Sequence, residues 1–347
     1  MEGGGRLSLI LAQNFSTDLG YGFKVPNHPY FDEYQIVGKE FDLGVFGYIS
    51  GWRNIRLIQA FKKKTAFLKR YRTVFYSGFY APMAVDNHSV GKNFYYCHTP
   101  PRYIYDQREH YFSCYPRWLH PMINSLIAYH QPRYETAVNK MDRVLTNSIN
   151  VKKRIKKFLG IEASVVYPPC EVNKFRWIGQ DGYYLSTARL DSLKRVNIIV
   201  GAFKKMPDKQ LIVVSDGPEK KSIIKDASRH DNITVLGNVS DEVFRRLMGN
   251  CIATIYIPKD EDFGMTPIES MAAGKPVIGV SEGGLVESIR NNETGTLLPP
   301  NPKAIDVMEA VKNLDKNKAK RMMRCCQESA ERFDVSHFIS KMSEILN

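Results

Sequence analysis

An acidic block in the second half of the chain carries the clearest chemical signal of the sequence. Its two glutamates, Glu261 and Glu269, are separated by seven residues in EDFGMTPIE. Gly264 would let the backbone approach a ligand, and the first N–H groups of a following helix would favour a phosphate. Glu269, on the inner face of that helix, can accept hydrogen bonds from vicinal hydroxyls such as those of ribose, and Glu261 in the loop can reach a sugar beyond the phosphates. In a plainer interpretation, the two are a loop charge and a surface helix charge.

The acidic block and its continuation, SMAAGKPVI, resemble the E-x7-E element of the retaining glycosyltransferase family 4, whose fold is GT-B. The subgroup that it resembles most contains mannosyltransferase-like members that act on cell-surface or lipid-linked glycans. The resemblance runs from about residue 93 to the C-terminus with gaps, and more loosely includes the opening glycines.

A pair of cations, Arg189 and Lys194, lies five residues apart in ARLDSLKR. The resemblance implies that they clamp the donor diphosphate. Two preplaced cations and helix N–H groups would stabilise the charge that develops on the departing nucleoside diphosphate without a metal ion. Alternatively, the two residues belong to the solvated start of a helix.

The resemblance also implies further donor contacts in the second half. Asp216 and Gly217 match the turn after the second strand of the donor domain, and Asn238 and Val239 match the segment beside the nucleobase. The start of the helix in the acidic block adds Phe263, Gly264, Met265 and Thr266.

The first half contains CHTPPRYIYD, residues 97–106, which resembles a stretch of the same subgroup. The resemblance implies that His98 lies near the donor sugar, in one catalytic set with Arg189, Lys194 and Glu261. Arg102 and Asp106 are assigned to acceptor binding. In the alternative, His98 is a packed histidine, and Arg102 and Asp106 pair with each other.

Three opening glycines precede an amphipathic run that begins at Arg6. They resemble the glycine-rich loop that opens a first Rossmann helix, so Gly4 and Gly5 are expected to contact the donor. Such a loop should follow a β-strand, yet two residues precede it. Either the natural start lies upstream, or this sheet lacks its first strand.

Short β-rich runs alternate with helical patterns in the second half, which predicts a parallel sheet with both faces covered. The predicted strands are residues 183–187, 210–215, 233–236, 252–257, 276–280 and 295–298, and the predicted helices are 196–206, 219–229, 240–248, 266–273 and 285–291. In the first half, strands are predicted at 71–76, 93–97 and 142–147, and helices at 52–70 and 133–140.

Consecutive prolines, Pro168 and Pro169, mark the predicted domain boundary. The prediction is an α/β fold of GT-B type, in which two Rossmann-like domains with parallel sheets face a central cleft. Residues 1–170 form the acceptor-binding domain, whose first strand is apparently missing, and residues 171–332 form the nucleotide-sugar-binding domain. A helix in residues 333–347 crosses back to the first domain, as the resemblance implies.

The positive charge is concentrated in the first half of the chain. Residues 1–170 carry 23 Lys and Arg against 12 Asp and Glu, within a formal net charge of +13 for all 347 residues. Nucleic acid, a phospholipid surface or a phosphorylated substrate would each suit such a surface. Basic clusters at residues 62–72 and 152–157 are either membrane-facing or ordinary charged helix faces. No apolar run of about 18 residues predicts a membrane span, and the six cysteines lack metal-ligand spacing.

Taken together, the sequence predicts a retaining, metal-independent transferase that moves a hexose onto a glycan or lipid-linked acceptor. The subgroup implies mannose from GDP-mannose; UDP-sugars, the acceptor and the linkage stay open. No cofactor, no metal and no nucleic acid is expected. The expected location is cytoplasmic, peripheral at the inner membrane face. The alternatives are a non-catalytic nucleotide-sugar-binding protein, a nucleic-acid-binding protein and a nucleotide-sugar epimerase.

Overall fold

The computed structural model describes residues 3–25, 33–46 and 50–346, with the backbone alone at Gly3 and Ser50. The chain divides into two compact units. The first unit comprises Met1–Pro168 and Ile339–Asn347, and the second comprises Pro169–Phe338. Among the described residues, no helix is both long and apolar enough to cross a membrane.

The first unit contains a four-stranded parallel sheet in the order β3-β4-β5-β6, and a separate parallel pair, β1 and β2. Its strands are β1 Leu19–Tyr21, β2 Glu40–Asp42, β3 Thr73–Ser77, β4 Lys92–Cys97, β5 Arg143–Thr146 and β6 Ser164–Val165. Its helices are α1 Gly3–Asn14, α2 Ser50–Lys63, α3 Arg108–Ser113, α4 His120–Val138 and α5 Ile149–Leu159.

All three strands predicted in the first half are confirmed, as β3, β4 and β5. Two helix predictions need correction. The helix predicted at residues 52–70 ends at Lys63, where the hydroxyl of Thr65 bonds back to the Phe61 carbonyl, and a separate 3₁₀ turn, Ala66–Arg70, follows. The helix predicted at 133–140 is the end of α4, which continues through Pro132.

Tyrosines fill the core around the first sheet. Tyr76, Tyr95 and Tyr134 are buried together with aliphatic residues of α4, α5 and the strands. The buried hydroxyls are satisfied, since Tyr95 and Tyr134 lie 3.1 Å apart and Tyr96 donates to the Val166 carbonyl at 2.7 Å. This packing holds the carboxyl ends of β3 and β4 in register, with Ser77 opposite Tyr96.

The second unit contains a six-stranded parallel sheet in the order β12-β11-β10-β7-β8-β9. Its strands are β7 Tyr183–Ser186, β8 Gln210–Val214, β9 Ile233–Gly237, β10 Thr254–Ile255, β11 Val277–Val280 and β12 Gly295–Leu298. Its helices are α6 Val196–Phe203, α7 Lys220–Ala227, α8 Asp241–Asn250, α9 Met265–Ala272, α10 Leu285–Ser288, α11 Ala304–Asn313, α12 Lys316–Glu331 and α13 Val335–Leu346, whose end lies in the first unit.

The predicted alternation of strands and helices in the second half is confirmed, although several boundaries differ. The strand predicted at 252–257 is limited to Thr254–Ile255, the helix predicted at 196–206 ends at Phe203, and α11 and α12 were not predicted. The helix predicted at 285–291 ends at Ser288, because Ile289 adopts an extended conformation and Thr294 closes a turn onto Arg290. Numbered within the unit, the strand order is 3-2-1-4-5-6, with the order reversing between β7 and β10. In open α/β sheets, ligands bind beyond the carboxyl ends of the strands at such a switch point.

Candidate functional site

A salt bridge between two of the predicted catalytic residues lies at the switch point of the second sheet. Lys194 follows β7 and Glu261 follows β10, and the Lys194 Nζ lies 2.5 Å from a Glu261 carboxylate oxygen. The Tyr256 hydroxyl lies 3.4 Å from the same ammonium. The two side chains are partly buried. The structure therefore places a cation and a carboxylate where a nucleotide ligand would bind in this type of sheet.

The Lys194 side chain stays protonated in this environment. Burial by itself disfavours an ammonium, but Tyr256 and the Glu261 carboxylate outweigh that penalty and raise the pKa of Lys194. The residue is therefore a permanent cation at physiological pH. A permanent cation in a partly buried position is suited to stabilising charge on a phosphate.

The backbone around Lys194 is fixed by its neighbours in the sequence. Asp191 caps the short turn Ser192–Lys194 by accepting from the amides of Leu193 and Lys194. Arg195 then adopts a left-handed conformation with φ of 54°, which is uncommon for a residue other than glycine. This turn directs Lys194 towards Glu261.

Arg195 is buried and bridges two further loops. Its guanidinium lies 2.5 Å from the Glu282 carboxylate and 2.8 Å from the side-chain oxygen of Asn301. Glu282 belongs to the turn after β11, and Asn301 to the segment after β12. Lys194 and Arg195 thus contact the loops that follow β10, β11 and β12.

The loop that carries Glu261 packs closely against this turn after β11. The Gly284 amide donates to the Glu261 carbonyl at 2.8 Å. A Cβ added to Gly283 would lie 2.5 Å from the Glu261 carbonyl oxygen, and one added to Gly284 would lie 2.4 Å from the Asp262 carbonyl oxygen. These glycines are required because the two backbones touch.

The predicted phosphate-binding helix begins as expected. Gly264, with φ of 87°, precedes α9 and makes no side-chain cap, so Met265 and Thr266 present helix N–H groups that lack intrahelical partners. Glu269 lies on α9 and is partly buried. Phe263 is buried against Phe333, so its side chain serves packing, and a ligand could meet its backbone alone.

The predicted turn after β8 touches the segment that carries Arg189. The Leu190 amide donates to the Asp216 carbonyl at 3.0 Å, and a Cβ on Gly217 would lie 2.3 Å from the Leu190 carbonyl oxygen. The Asp216 carboxylate is engaged by Lys220 at 2.7 Å and by the Gly217 amide at 2.7 Å. These contacts order the turn, and the donor-binding roles of Asp216 and Gly217 stay predictions.

Three predicted donor residues are more open to solvent. The Arg189 side chain is 62% exposed and lies 3.9 Å from Asp191, too far for a firm ion pair. Asn238 is exposed and Val239 partly exposed directly after β9. All three follow the carboxyl ends of strands, the same edge of the sheet as Lys194.

A second cluster of predicted residues lies within the first unit. His98 Nε2 lies 2.9 Å from the Ser77 hydroxyl, and a Cβ on Gly4 would lie 2.9 Å from the same nitrogen. Gly4 and Gly5 belong to the first turn of α1 rather than to a loop that precedes it. Burial of the ring lowers the pKa of His98 to about 4, so the imidazole is neutral at physiological pH.

Arg102 and Asp106 form an ion pair, as the alternative interpretation expects. The distance is 3.0 Å, and Asp106 is also paired with the buried Arg154 at 3.0 Å. Arg154 donates in turn to the Thr99 hydroxyl. This network orders the segment after His98, and the acceptor-binding roles of Arg102 and Asp106 stay predictions, as does the catalytic role of His98.

Several residues at these two sites were not predicted from the sequence. They are Ser77, Asp191, Arg195, Tyr256 and Glu282. The position of Ser77 at the end of a predicted strand would have been a usable signal, whereas the pairing of Arg195 with Glu282 depends on contacts 87 residues apart. Among the described residues, no group of three or more His, Cys, Asp or Glu side chains could hold a metal ion.

Residues 171–332, most of the second unit, match the family model of the glycosyl transferases group 1. The second unit belongs to this family. The match confirms the resemblance to glycosyltransferase family 4 that the acidic block predicts.

A mannosyltransferase gives a modest match to the chain. It is the alpha-1,3/1,6-mannosyltransferase ALG2 of Dictyostelium discoideum, 26% identical over 254 residues. The match covers 59% of this chain and 60% of that protein, so the chain spans less than two thirds of this relative's length.

Solved structures show the same fold over nearly the whole chain. Sucrose-phosphate synthase from Thermosynechococcus elongatus superposes with a TM-score of 0.77 at 17% identity, covering 98% of this chain and 90% of that one. HepE of Anabaena, in complex with UDP-glucose, gives 0.74 at 18% identity, covering 100% and 96%. The predicted α/β fold of GT-B type is confirmed.

Proposed function

We propose that this protein is a retaining, metal-independent glycosyltransferase that moves a hexose from a nucleotide-sugar donor onto a glycan or lipid-linked acceptor. The observation that carries the proposal is the Lys194–Glu261 pair at the switch point of the second sheet. The start of α9 and the exposed Arg189 lie on the same edge of that sheet. These are the groups that a diphosphate and its sugar require.

In the proposed reaction, the bond between the anomeric carbon and the diphosphate oxygen breaks while the acceptor oxygen bonds to the same face of the sugar. The departing phosphate oxygen takes the proton of the acceptor hydroxyl. Negative charge grows on the diphosphate as the bond to the anomeric carbon breaks, and Lys194, Arg189 and the N–H groups of Met265 and Thr266 stabilise it until the proton arrives. Because the positions of Lys194 and α9 are preset, little reorganisation is needed as the charge develops.

Glu261 and Glu269 divide the remaining recognition of the donor. When a phosphate approaches Lys194, the ammonium can serve both the phosphate and the Glu261 carboxylate, since it has three N–H donors. Glu261 would then be held beside the sugar. Glu269, one turn into α9, would accept hydrogen bonds from the ribose hydroxyls.

GDP-mannose is the favoured donor, because the matched relative is a mannosyltransferase. HepE was solved with UDP-glucose, so both nucleotides belong in the test. The positive charge of residues 1–170 supports an acceptor that carries phosphate.

A donor panel tests the proposal. The protein is incubated with GDP-mannose, GDP-glucose, UDP-glucose and UDP-N-acetylglucosamine together with a lipid extract, and released nucleotide and labelled lipid are both recorded. We expect transfer from GDP-mannose, with proton NMR of the product showing the anomeric configuration of the donor. Nucleotide binding without transfer or hydrolysis from any donor would contradict the proposal and leave a nucleotide-sugar-binding protein.

A further inference from the structure

An exposed group of large apolar side chains lies in the first unit on residues 108–122, which we call the aromatic segment. The exposed fractions are 39% for Tyr111, 46% for Tyr115, 76% for Trp118 and 57% for Met122. The segment comprises α3, the 3₁₀ turn Arg117–Leu119 and the start of α4. Large apolar side chains exposed close together in the chain can mark a surface that meets lipid or another protein.

The aromatic segment is held in one shape by its own contacts. His120 Nε2 donates to the carbonyls of Phe112 at 3.0 Å and Tyr115 at 3.2 Å, and the rings of Phe112 and His120 pack edge to face. Arg108 donates to the side-chain oxygen of Asn124 at 2.6 Å. The chain therefore folds back on itself, and its exposed side chains are presented by an ordered hairpin.

Trp118 lies in the 3₁₀ turn and Met122 in the first turn of α4, which follows it directly, and both side chains are exposed. Tyr111 packs its ring against Tyr103, which is itself hydrogen-bonded to the buried His130. The exposed apolar surface is thus anchored to the core of the first unit.

The charge of the segment indicates what covers it. Glu109 is the single acidic residue between positions 107 and 134, whereas Arg108, Arg117 and Arg133 lie in the same stretch. Arg117 is exposed beside Trp118. A tryptophan and a methionine flanked by arginines match the boundary between lipid headgroups and acyl chains, where amphipathic rings and basic side chains both find partners.

The basic clusters that the sequence singled out fit this role less well. Arg154 is buried against Asp106, and Lys156 pairs with Glu162 at 2.8 Å. Lys64 donates to the Leu43 carbonyl at 2.7 Å. Part of the charge in both clusters is therefore used within the protein.

We propose that the aromatic segment docks on an anionic phospholipid surface. Trp118 and Met122 enter the headgroup boundary, and the exposed Arg117 pairs with lipid phosphates. The inference rests on the proposed function in one respect, because it identifies the surface at which a lipid-linked acceptor would be met. Docking itself is measured without any donor.

Sedimentation with vesicles tests the inference on the full chain. Vesicles of phosphatidylcholine alone are compared with vesicles that also contain phosphatidylglycerol. We expect the wild type to bind the anionic vesicles, and the double variant Trp118→Ser, Met122→Ser to bind on the order of tenfold more weakly. Arg117→Gln should also weaken binding and reduce its dependence on salt.

The matched control is the double variant Ile178→Ser, Ile305→Ser, which removes two apolar side chains of the second unit that are 58% and 52% exposed. It should bind as the wild type does. Quenching of tryptophan fluorescence by brominated lipid should be strong in the wild type and reduced in Trp118→Phe. Wild type that sediments with neither vesicle overturns the inference, as does a double variant that binds as the control does; a protein partner would then be the occupant of the patch.

Separate measurements test the transferase function and the docking on lipid, so either proposal can be contradicted while the other stands. Release of nucleotide from the donor in the absence of vesicles tests the transferase function, and the Trp118, Met122 variant should retain that rate. Vesicle binding without turnover of any donor would leave the docking surface standing and remove the proposed function.

Discussion

Lys194 and Arg195 are neighbours in sequence, yet each secures a different loop. Lys194 pairs with Glu261, and Arg195 pairs with Glu282 and Asn301. The left-handed conformation of Arg195 is what allows the two side chains to diverge. Such a conformation in a residue other than glycine costs about 1 kcal/mol or more, and it persists only when the surroundings stabilise it. Arg195 is therefore a positioning residue for the loop that carries Glu261.

Replacing Arg195 with alanine should lower the free energy of unfolding by about 2 kcal/mol, because Glu282 would lose its partner in a mostly buried site. It should also lower kcat more than it raises KM, since the loop would be less well placed for the reaction. Arg229→Ala, an exposed arginine in the same unit, is the control and should change stability by less than about 0.5 kcal/mol. Unchanged turnover in Arg195→Ala would exclude the positioning role.

The neutral state of His98 is a second prediction at this scale. Its ring should titrate with a pKa of about 4, and histidine ring NMR resolves this directly. At a pH between the ordinary histidine pKa of about 6.5 and the lower pKa of the folded protein, His98 is protonated in the unfolded chain and neutral in the folded protein. Stability should therefore fall as the pH falls through that window, and less so in His98→Gln. A His98 ring that titrates near its ordinary value would contradict the buried environment.

At the scale of secondary structure elements, close backbone contacts fix the loops of the second sheet. Gly217 is the clearest case, because a Cβ there would meet the Leu190 carbonyl at 2.3 Å. The turn after β8 and the segment after β7 could not stay hydrogen-bonded with a larger residue.

Gly217→Ala should weaken GDP binding and lower the melting temperature. Gly201→Ala is a matched control, since Gly201 lies within α6 and a Cβ added there would have no neighbouring atom within 4 Å. That control should raise stability by roughly 0.5–1 kcal/mol through helix propensity. Titration calorimetry with GDP and thermal unfolding measure both effects. Equal behaviour of the two variants would mean that the turn after β8 tolerates a shift and does not define the site.

Most strands and helices of the second unit could be predicted from the sequence, because its strands are short apolar runs that alternate with amphipathic helices. The helices α11 and α12 were not among those predicted. The long helix α4 was missed, since Pro121 and Pro132 interrupt the pattern that normally indicates a helix. Pro121 lies in the first turn, where its missing N–H costs nothing. The helix nevertheless continues past Pro132, whose carbonyl accepts a hydrogen bond from the Thr136 hydroxyl one turn later.

For the molecule as a whole, the sequence predicted which residue types form the site and in what order they follow along the chain. It could not reveal pairs such as Arg195–Glu282 or His98–Ser77, which form when distant strands become neighbours. The same limit applies to Arg102 and Asp106: their spacing suited an acceptor site equally well, and the contact with Arg154 emerges only in the folded unit. The difference in charge between the two halves of the chain could be counted in the sequence. The exposure of the aromatic segment could be seen only in the folded unit.

The most direct test of the central claim is the rate of glycosyl transfer from the preferred donor in Lys194→Ala. Lys225→Ala, an exposed lysine on α7, is the control. Loss of a preorganised cation at the diphosphate should reduce kcat by roughly 10²–10³-fold, while the control keeps the wild-type rate. Transfer by Lys194→Ala at the rate of the control would contradict the placement of the reaction at this site.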